Sequence, residues 1–556
     1  MLNTDDAALA LSPALPLFLS ATLRNIEARH AQEPLMFRAA ESAAKWSMTL
    51  RALAESDDVS AARQTPQNEE ANPLRERMTF CAAKAAAEWS ASLRATGAAD
   101  APVLILAGPG NNGGDALMTA TLLRRAGVAV MVVFNRRGVN LPPDAEAACQ
   151  QFIAGGGKFL TDIPENQRFS LIVDGLFGIG LTRAPEDAHA ELIRTANRLA
   201  RAQNCPLLAL DCPSGLCADT GFAYQPTIHA THTLAFIGAK PGLYTADGPD
   251  YCGDIRIDPL GLNADAADGK LLGVSSFAAC LRARKNNTHK GLYGGVGILG
   301  GATAMQGAAL LAGRAALCLG AGRVYIGMLD AKSVDFMQPE LMLRQGARLF
   351  DARLDALVCG PGMGTVGQAR ELLLRALSLR SALVLDADAL NLVAAMPALA
   401  ERLESETALR EAAGGSTILT PHPAEAARLL AVTVEDVQEN RVESALALAR
   451  KYQAWVLLKG CGSVIAHADQ RWWINPTGHP GMAGPGFGDV LSGFIAALLG
   501  QGFPAGEALM AATYLHGLAA EDCAARGIGP VGLTAGEVIP AARARFNRWL
   551  ARDFSS

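Results

Sequence analysis

The fold is decided by the stretch Val103-Leu104-Ile105-Leu106-Ala107-Gly108-Pro109-Gly110-Asn111-Asn112-Gly113-Gly114-Asp115. Its five apolar residues predict a buried strand, and its glycines allow a tight turn into a helix, which we predict over about Ala116–Ala126. A second loop of this kind, Gly484-Pro485-Gly486-Phe487-Gly488-Asp489, precedes an apolar helix predicted over Val490–Leu499. Each loop ends in an aspartate, so the sequence predicts two nucleotide-handling sites.

Short apolar runs alternate with helical stretches along the chain, which predicts an α/β protein with largely parallel sheets. The first ~100 residues are predicted to be helical, with a polar insert over about 55–77. A polar break near Leu262–Ser275 separates two series of strands, so we expect domains over about 1–265 and 271–556. The other predicted strands are Val128–Phe134, Leu171–Val173, Leu207–Leu210, Thr233–Ile237, Val296–Leu299, Arg323–Ile326, Ala356–Cys359, Ala382–Leu385, Thr417–Leu419 and Ala454–Leu458.

The composition excludes several classes of protein. Half of the 556 residues are hydrophobic and 19% are charged, which is typical of a globular chain, and the net charge of −5 argues against a general nucleic-acid binder. The 11 cysteines include no Cys-x-x-Cys pair, which favours reduced thiols and a cytoplasmic location. No apolar run is long enough to predict a membrane helix. Asp5 and Asp6 stand where a secretory leader would be basic.

Three carboxylates follow neighbouring strands of the first series. Asp115 closes the glycine loop, and Asp174 and Asp211 each stand at the end of a predicted strand. Because ligands bind at the carboxyl ends of parallel strands, this set suits a cation, a ribose hydroxyl or proton transfer. Asn112 and Ser214 add neutral oxygens for a weakly bound hard cation. The alternative interpretation is that the three aspartates only cap a helix or begin turns.

The second glycine loop has a different chemistry. Gly486 and Gly488 leave amides bare at a helix N-terminus, which favours a phosphoryl group, and Asp489 stands beside it as a base. The structural alternatives are that Asp489 complements the helix dipole and that His422 is a rigid turn residue between two prolines. In the same way, Lys459 could snorkel at a strand end, and the pair Asp386 and Asp388 could serve only turn chemistry.

Four ordered motifs of the first half carry a resemblance to a known family. They are the loop 108–115, Val173–Leu181, Leu210–Gly215 and Phe236–Tyr244. From about Leu17 to Leu262 the chain resembles the NAD(P)H-hydrate epimerases, which implies a Rossmann-like three-layer αβα domain.

The epimerase resemblance also implies site residues. Potassium is assigned to Asn112, Asp174 and Ser214, and Asp211 is the acid/base group. The hydrated nucleotide is assigned to Asp211 and to Asn111, Asn112, Gly113, Gly114, Asp115, Gly178, Ile179, Gly180, Leu181, Thr182, Arg183 and Ala184. Ala116 and Cys217 depart from the family's usual glycine and polar residue.

The second half resembles the ribokinase-like NAD(P)H-hydrate dehydratases from about Leu271 to Leu550. The run Thr420-Pro421-His422-Pro423 and the segment Asn475–Gly493 carry this resemblance. It implies that the hydrated nucleotide is bound by Ala308, Gly364, His422 and Asp489. It implies that ADP is bound by Lys459, Gly460, Cys461, Gly462, Ser463 and Gly488. Mg²⁺ is implied by phosphoryl transfer.

Three positions of the second half depart from the dehydratase pattern. Phe487 stands where threonine is usual and so removes a hydroxyl beside the anion cradle. His479 replaces a common asparagine, and Ala424 replaces a glycine. These departures put the nucleotide affinity, and the choice of ADP over ATP, in more doubt than the reaction itself.

Together the two resemblances imply a bifunctional repair enzyme for NADHX and NADPHX, the hydrated nicotinamide cofactors. The first domain would interconvert the R and S epimers, and the second would dehydrate the S form with ADP, giving AMP and phosphate. A homo-oligomer without nucleic-acid or membrane partners is expected. One alternative is a ribokinase-type small-molecule kinase with a non-catalytic N-terminal nucleotide-binding module, and another is an N-terminal domain that acts as an interaction scaffold.

Overall fold

The computed structural model describes residues 13–30, 35–55, 101–136, 138, 140–262, 267–330 and 334–551. The chain divides into two compact units, Met1–Asp268 and Gly269–Ser556. The polar insert predicted over 55–77 lies outside the described residues, apart from Glu55 at the end of a helix. Within the described part of the chain, none of the helices combines the length and apolar character needed to cross a bilayer.

The first unit is built around a seven-stranded sheet with the order β4-β3-β2-β5-β6-β7-β8. All of its neighbouring strands run parallel. The strands of this unit are β1 (Leu15–Leu17), β2 (Val103–Ala107), β3 (Val130–Val133), β4 (Phe159–Leu160), β5 (Leu171–Gly175), β6 (Leu207–Leu210), β7 (His232–Phe236) and β8 (Asp254–Asp258). The helices are α1 (Ser20–Arg29), α2 (Leu35–Glu55), α3 (Asn111–Arg125), α4 (Pro143–Ala154), α5 (Asp187–Gln203) and α6 (Gly248–Tyr251).

Alternate residues of the central strand β2 face two different cores. Val103 and Ile105 pack with residues of α2, α3 and α4. Leu104 and Leu106 pack on the opposite face with residues of α5. This alternation follows from the two-residue period of a strand, and burial on both faces explains why the strand is continuously apolar. The predicted three-layer αβα arrangement of the first unit is confirmed.

The first glycine loop is shorter than we predicted. Helix α3 begins at Asn111 rather than near Ala116, and its N-cap is the extended Gly110, so the interpretation of Asp115 as a helix cap is wrong. The glycines are required by close contacts. A Cβ on Gly108 would lie 1.7 Å from the carbonyl oxygen of Leu176, and one on Gly113 would lie 1.9 Å from the carbonyl oxygen of Gly108.

The second unit contains a larger mixed sheet. Its strands lie side by side in the order β9-β18-β17-β16-β15-β14-β13-β10-β11-β12. They are β9 (Gly269–Leu271), β10 (Gly295–Gly300), β11 (Arg323–Met328), β12 (Met342–Gln345), β13 (Ala356–Cys359), β14 (Ala382–Leu385), β15 (Thr417–Leu419), β16 (Trp455–Leu458), β17 (Val464–Ala466) and β18 (Trp472–Ile474). The strands from β10 to β16 run parallel, whereas β17 is antiparallel to both β16 and β18.

The helices of the second unit cover both faces of this sheet. Val296 of β10 and Val358 of β13 pack against α7, α14, α15 and α16, while the alternate residues Leu357 and Leu385 are fully buried on the opposite face. The helices are α7 (Gln306–Cys318), α8 (Gln368–Leu377), α9 (Ala387–Ala395), α10 (Pro397–Ala412), α11 (Pro423–Leu430), α12 (Val434–Glu439), α13 (Arg441–Tyr452), α14 (Phe487–Gly500), α15 (Ala505–Ala525) and α16 (Ala535–Leu550).

All of the strands predicted from the sequence are present, and their ends differ by no more than two residues from the prediction. Seven short strands were not predicted from the sequence, and most of them lie at or near the edges of the sheets. These strands are short or only half-buried, so they lack the continuous apolar run that reveals a central strand. They are β1, β4, β8, β9, β12, β17 and β18.

A glycine at the crossing of α7 and α14 gives a test of this packing. A Cβ on Gly493 would lie 2.2 Å from the carbonyl oxygen of Ala312. We expect Gly493→Ala to lower the free energy of unfolding by about 2–3 kcal/mol or more, because two helix backbones would have to separate.

The matched control is Gly536→Ala in α16, where a Cβ meets nothing within 4 Å. This variant should be neutral or stabilising by about 0.5–1 kcal/mol. Urea unfolding followed by tryptophan fluorescence measures both, because Trp455, Trp472, Trp473 and Trp549 report on the second unit. Equal stabilities of the two variants would contradict the close approach of the helices.

Candidate functional site

In the first unit, the ends of β5 and β6 bring Asp174 and Ser214 into contact. Asp174 is fully buried, and its Oδ1 accepts hydrogen bonds from the Ser214 hydroxyl at 2.6 Å and the Leu176 amide at 3.1 Å. Its Oδ2 accepts from the Ser214 amide at 2.8 Å. Burial raises the pKa of Asp174 to about 6, although these hydrogen bonds oppose the shift. Among the described residues this carboxyl has no cationic partner.

Asn112 joins the same cluster from the first turn of α3. Its side-chain amide donates to the carbonyl oxygens of Phe177 at 2.9 Å and Leu210 at 3.2 Å. The Ser214 hydroxyl in turn accepts from the Phe177 amide at 2.8 Å, so Phe177 links both side chains. The Oδ1 atom of Asn112 is buried and has no hydrogen-bond partner in the described structure. A buried oxygen of this kind is available to a cation.

Asp211 follows β6 in a left-handed backbone conformation with φ 65°. Its Oδ1 accepts a hydrogen bond from the ammonium group of Lys240, which is 1% exposed. Lys240 also donates to the carbonyl oxygen of Phe236 at 2.8 Å. The sequence analysis included Lys240 in a family motif but gave it no role in the site. Lys240 lies in a buried run next to glycines and a proline, and nothing in that run predicts an ion pair.

Two further carboxyl groups lie within the electrostatic range of Asp211. Burial raises the pKa of Asp115 well above its usual value, and the neighbouring charges of Asp211 and Glu27 add to the shift. Burial also raises the pKa of Glu27 on α1, with Asp211 adding to the shift and Lys240 opposing it. Raised pKa values favour the protonated form of a carboxyl group, and such groups are suited to proton transfer. The sequence analysis did not anticipate Glu27.

The predicted segment 178–184 forms an irregular loop over this cluster. A Cβ on Gly178 would lie 3.3 Å from Asp211 Oδ2 and 3.4 Å from the Asn112 Cβ, so the loop approaches both side chains closely. Gly180 and Arg183 are exposed. The remaining residues predicted to bind the nucleotide lie in the first turn of α3, where Asn111 is exposed and Gly113 and Gly114 are buried.

In the second unit, a buried ion pair joins the ends of β14 and β16. The ammonium group of Lys459 lies 2.7 Å from Asp386 Oδ1, and the Ser492 hydroxyl of α14 donates to Asp386 Oδ2 at 2.8 Å. Burial works against the charge of Asp386, but Lys459 and the hydroxyl groups of Ser492 and Thr420 together outweigh it, so the pKa of Asp386 is below its usual value. Burial also opposes the charge of Lys459, but Asp386 and the neighbouring carboxyl groups of Glu425 and Asp489 together outweigh it, so the pKa of Lys459 is raised.

The loop Gly484–Asp489 lies against this pair. Gly486, with φ 88°, is the N-cap of α14, and a Cβ on Gly488 would lie 3.2 Å from Lys459 Nζ. Asp489 stands in the first turn of the same helix. Burial, followed by the charge of Asp386, raises the pKa of Asp489 to about 7, while Lys459 opposes the shift. The first-turn amides of α14, the Lys459 ammonium group and the Asp489 carboxyl, whose pKa is about 7, are therefore brought together at this loop.

The Phe487 ring is directed into the main core, but one edge stays next to the loop, where a Cβ on Gly484 would lie 3.5 Å from Phe487 Cε2. The ring is 5% exposed, with its centroid 6.0 Å from that of His516. His516 is fully enclosed, and burial lowers its pKa to about 3. Replacement of a small hydroxyl residue by phenylalanine therefore adds core packing behind the first turn of α14 and leaves the backbone donors in place.

Two more sets of predicted residues lie in loops of the second unit, one for the hydrated nucleotide and one for ADP. Gly364 and Ala308 lie together, because the Gly364 amide donates to Asp388 Oδ2 at 2.8 Å and Ala308 Cβ lies 3.2 Å from a Cβ placed on Gly362. Asp388 thus anchors the glycine loop after β13. The tight turn Gly460–Ser463 connects β16 to β17 and contains the exposed residue Cys461. The turn is closed by the Ser463 hydroxyl, which donates to the Gly460 carbonyl oxygen at 2.9 Å.

His422 is the N-cap of α11, a role that was not predicted from the sequence. Its Nδ1 accepts from the amides of Ala424 at 3.1 Å and Glu425 at 3.4 Å, and Glu425 completes a capping box. Since Nδ1 is an acceptor, the ring proton sits on Nε2, 3.2 Å from Glu425 Oε1. The side chain is 47% exposed, so the capping role leaves a face of the ring accessible to a ligand.

Comparison with known proteins places both units in one family. A family model described as NAD(P)H-hydrate dehydratase matches residues 296–539, and one described as YjeF-related protein N-terminus matches residues 76–242. The bifunctional NAD(P)H-hydrate repair enzyme of Escherichia coli is 35% identical over 450 residues, covering 78% of this chain and 83% of that protein. The chain belongs to the bifunctional NAD(P)H-hydrate repair enzymes. The relative from Moorella thermoacetica is 37% identical over 476 residues, covering 79% and 86%.

This membership in the NAD(P)H-hydrate repair family agrees with the resemblance of both halves of the sequence. An NAD(P)H-hydrate repair enzyme from a eukaryote, Leishmania braziliensis, is 35% identical over 480 residues, covering 79% of this chain and 84% of that protein. The alternative of a small-molecule kinase joined to a non-catalytic module is not supported. The individual site residues, a cytoplasmic location and a homo-oligomer stay predictions.

The raised pKa of Asp489 makes a prediction about stability. The folded state holds this proton up to about pH 7, whereas the unfolded chain releases it near pH 4, so the second unit loses about 2–4 kcal/mol of stability as the pH rises through this interval. Asp489→Asn cannot ionise and should escape this loss. Urea unfolding should therefore show similar stabilities at pH 4 and a more stable variant at pH 8. A variant that is less stable than the parent at pH 8 would contradict the assignment.

Proposed function

We propose that the second unit dehydrates the S epimer of hydrated NADH or NADPH, with ADP as the phosphoryl donor. The membership of the chain in the repair family supports this activity. The observation that carries the proposal is the position of Asp489. Its carboxyl stands in the first turn of α14 beside Gly488, whose Cβ position lies next to the Lys459 ammonium group.

The proposed reaction begins with a transfer of the β-phosphoryl group of ADP to the C6 hydroxyl. Asp489 takes the hydroxyl proton as the new oxygen–phosphorus bond forms and AMP leaves. The first-turn amides of α14 and Lys459 stabilise the charge on the transferring group. Phosphate then leaves from C6, helped by the electron pair of the ring nitrogen, and loss of a proton from C5 restores the double bond. The sum is NAD(P)H, AMP and phosphate.

Asp386 and Ser492 position the phosphate-binding groups in this scheme. The Asp386 carboxyl holds the Lys459 ammonium group in place, and the Ser492 hydroxyl ties the same carboxyl to the second turn of α14. The ammonium group and the amide donors are therefore preorganised before the nucleotide binds. Preorganised donors stabilise developing charge without a reorganisation cost during the reaction.

Magnesium is the ion expected for this phosphoryl transfer. No group of three acidic, histidine or cysteine side chains that could hold a metal occurs among the described residues. Mg²⁺ is usually bound by one or two carboxylates together with substrate phosphates. We therefore propose that it arrives with ADP rather than in a site built by this chain. It would neutralise phosphate charge there.

We propose that the first unit interconverts the R and S epimers, so that the whole pool of hydrated cofactor reaches the second unit. Asp211 would carry the proton during the inversion at C6, and Lys240 would hold its carboxyl in place. The nicotinamide nucleotide would lie between the first turn of α3 and the loop 178–184. NADHX and NADPHX are both proposed as substrates.

Potassium fits the cluster of Asn112, Asp174 and Ser214. The Asn112 Oδ1 and the buried Asp174 carboxyl supply hard oxygen donors, and no side-chain cation balances them in the part of the chain that the structure describes. A monovalent cation there would neutralise the buried carboxylate and fix the loop after β5 at Phe177. In the first unit, the proposed proton movement is assigned to Asp211 and not to the cation cluster.

An epimeric mixture of hydrated NADH tests the division of labour. With ADP, the parent protein should convert the whole mixture, as measured by the absorbance of reduced nicotinamide. Asp489→Ala should lose at least about 100-fold in rate because it removes the base. Asp211→Ala should recover only the S fraction. Asp162→Ala, at an exposed carboxylate of the first unit, is the matched control and should behave like the parent protein.

Two results of this experiment would overturn the proposal. Complete recovery by Asp211→Ala would exclude the epimerase role of Asp211. Phosphorylation of an unrelated alcohol by ATP, with no action on hydrated NADH, would exclude the dehydratase and favour a kinase.

Replacement of potassium tests the cation site without an activity assay. At constant ionic strength, a buffer that contains K⁺ in place of choline should stabilise the first unit by about 2–3 kcal/mol, provided that K⁺ is near 100 times its dissociation constant. The melting temperature should rise by several degrees. Asn112→Ala should lose the K⁺-specific rise. An equal rise in the melting temperature of that variant would contradict the site. The same melting temperature of the parent protein in K⁺ and in choline would also contradict it.

A further inference from the structure

Helix α1 (Ser20–Arg29) lies beside the candidate site of the first unit. The Phe18 amide donates to the Ala239 carbonyl oxygen at 2.9 Å, and the Ser20 amide and hydroxyl both donate to Asp219 Oδ1 at 2.7 Å. Leu23 and Ile26 pack into the core. These contacts hold α1 next to the segment that carries Lys240, so the opposite face of the helix is directed away from the core.

Arg24 stands on that opposite face, close to the nucleotide loop. A Cβ placed on Gly180 would lie 3.6 Å from Arg24 Nη2. Glu27 is three residues further along α1 and therefore on the same face. The charge of Asp211 reaches Glu27, and the charge of Arg24 also acts on it. The face of α1 that carries Arg24 thus forms one wall of the site.

The charge balance of the site calls for a cation at this wall. The interior contains the carboxyl groups of Glu27, Asp115 and Asp211, and the Lys240 ammonium group is engaged by Asp211. A dinucleotide brings a doubly charged pyrophosphate, which this interior would repel. Within the described structure, Arg24 makes no hydrogen bond or ion pair, so its guanidinium group is available to a phosphate.

The position of Arg24 favours the pyrophosphate among the phosphates of a dinucleotide. The Cβ position of Gly178 lies 3.3 Å from Asp211 Oδ2, and Gly180 follows two residues later. Two residues span at most about 7 Å, so Arg24 lies against the same short loop that contacts the proton-transfer group. The pyrophosphate is one ribose away from the nicotinamide ring, whereas both riboses and the pyrophosphate separate the adenosine 2′-phosphate from that ring.

We propose that Arg24 binds the pyrophosphate of the dinucleotide at the mouth of the epimerase site, so that helix α1 supplies part of that site. Arginine suits this role because its planar group makes paired hydrogen bonds to phosphate oxygens. The inference rests on the proposed epimerase function of the first unit. It adds a residue that lies outside all four sequence motifs of the first half.

Epimerisation of pure (R)-NADHX without ADP tests the role of Arg24, with the epimers separated by chromatography. Arg24→Gln should raise KM about 10- to 100-fold while kcat stays within about twofold, because the contact binds substrate and transition state alike. Arg24→Lys should fall between. (R)-NADPHX should show the same rise as (R)-NADHX. Arg29→Gln is the matched control, because the Arg29 guanidinium donates to the Asn25 carbonyl oxygen of its own helix, and KM should be unchanged.

The outcomes separate this inference from the function on which it rests. Dehydration of (S)-NADHX with ADP by the same Arg24→Gln preparation should be unchanged, which shows that the second unit is intact, and an unchanged kcat for epimerisation shows that the first unit is folded. An unchanged KM in an epimerase-active protein would overturn the role of Arg24 alone. A rise confined to NADPHX would overturn the assignment to the pyrophosphate. Absence of epimerisation in the parent protein would instead overturn the proposed function of the first unit.

Discussion

The geometry of parallel strands is the constraint on which both candidate sites depend. Parallel neighbours deliver their carboxyl ends to the same edge of a sheet, and the chain must leave each strand there before it enters a helix. In the first unit this rule brings Asp174 to Ser214, 40 residues later. In the second it brings Asp386 to Lys459, 73 residues later, and to Ser492, 106 residues later. The chemistry is therefore assembled from residues that are distant in the chain.

The two units use buried carboxylates in opposite ways. Asp386 is paired with Lys459, so its charge is retained and serves to hold an ammonium group beside the glycine loop. Asp174 accepts hydrogen bonds but has no cationic partner among the described residues, and burial raises its pKa to about 6. A bound cation would therefore stabilise its charged form. The first arrangement suits a preformed anion site, and the second suits a site completed by a cation. Similar glycine loops therefore stand in different electrostatic surroundings, because their buried neighbours differ.

Local sequence was sufficient for the central strands and for the loops that leave them. Buried strands are apolar on both faces, so β2, β6, β13 and β14 stand out from their surroundings. The start of α3 was predicted wrongly because Gly113 and Gly114 reduce helix propensity. Both positions of this helix require glycine, because a Cβ on Gly114 would lie 2.8 Å from Ala145 Cα and one on Gly113 would meet the preceding loop. Close packing overrode the local preference.

What the sequence by itself determined is the class of fold, the family and the positions of the two glycine loops, because each of these is written in contiguous runs of residues. Tertiary structure decided which side chains meet. The ion pair of Lys240 with Asp211, the direction of the Phe487 ring into the core, and the approach of Arg24 to Gly180 have no local signature. Each depends on how separate elements pack, and the electrostatic balance of both sites follows from that packing.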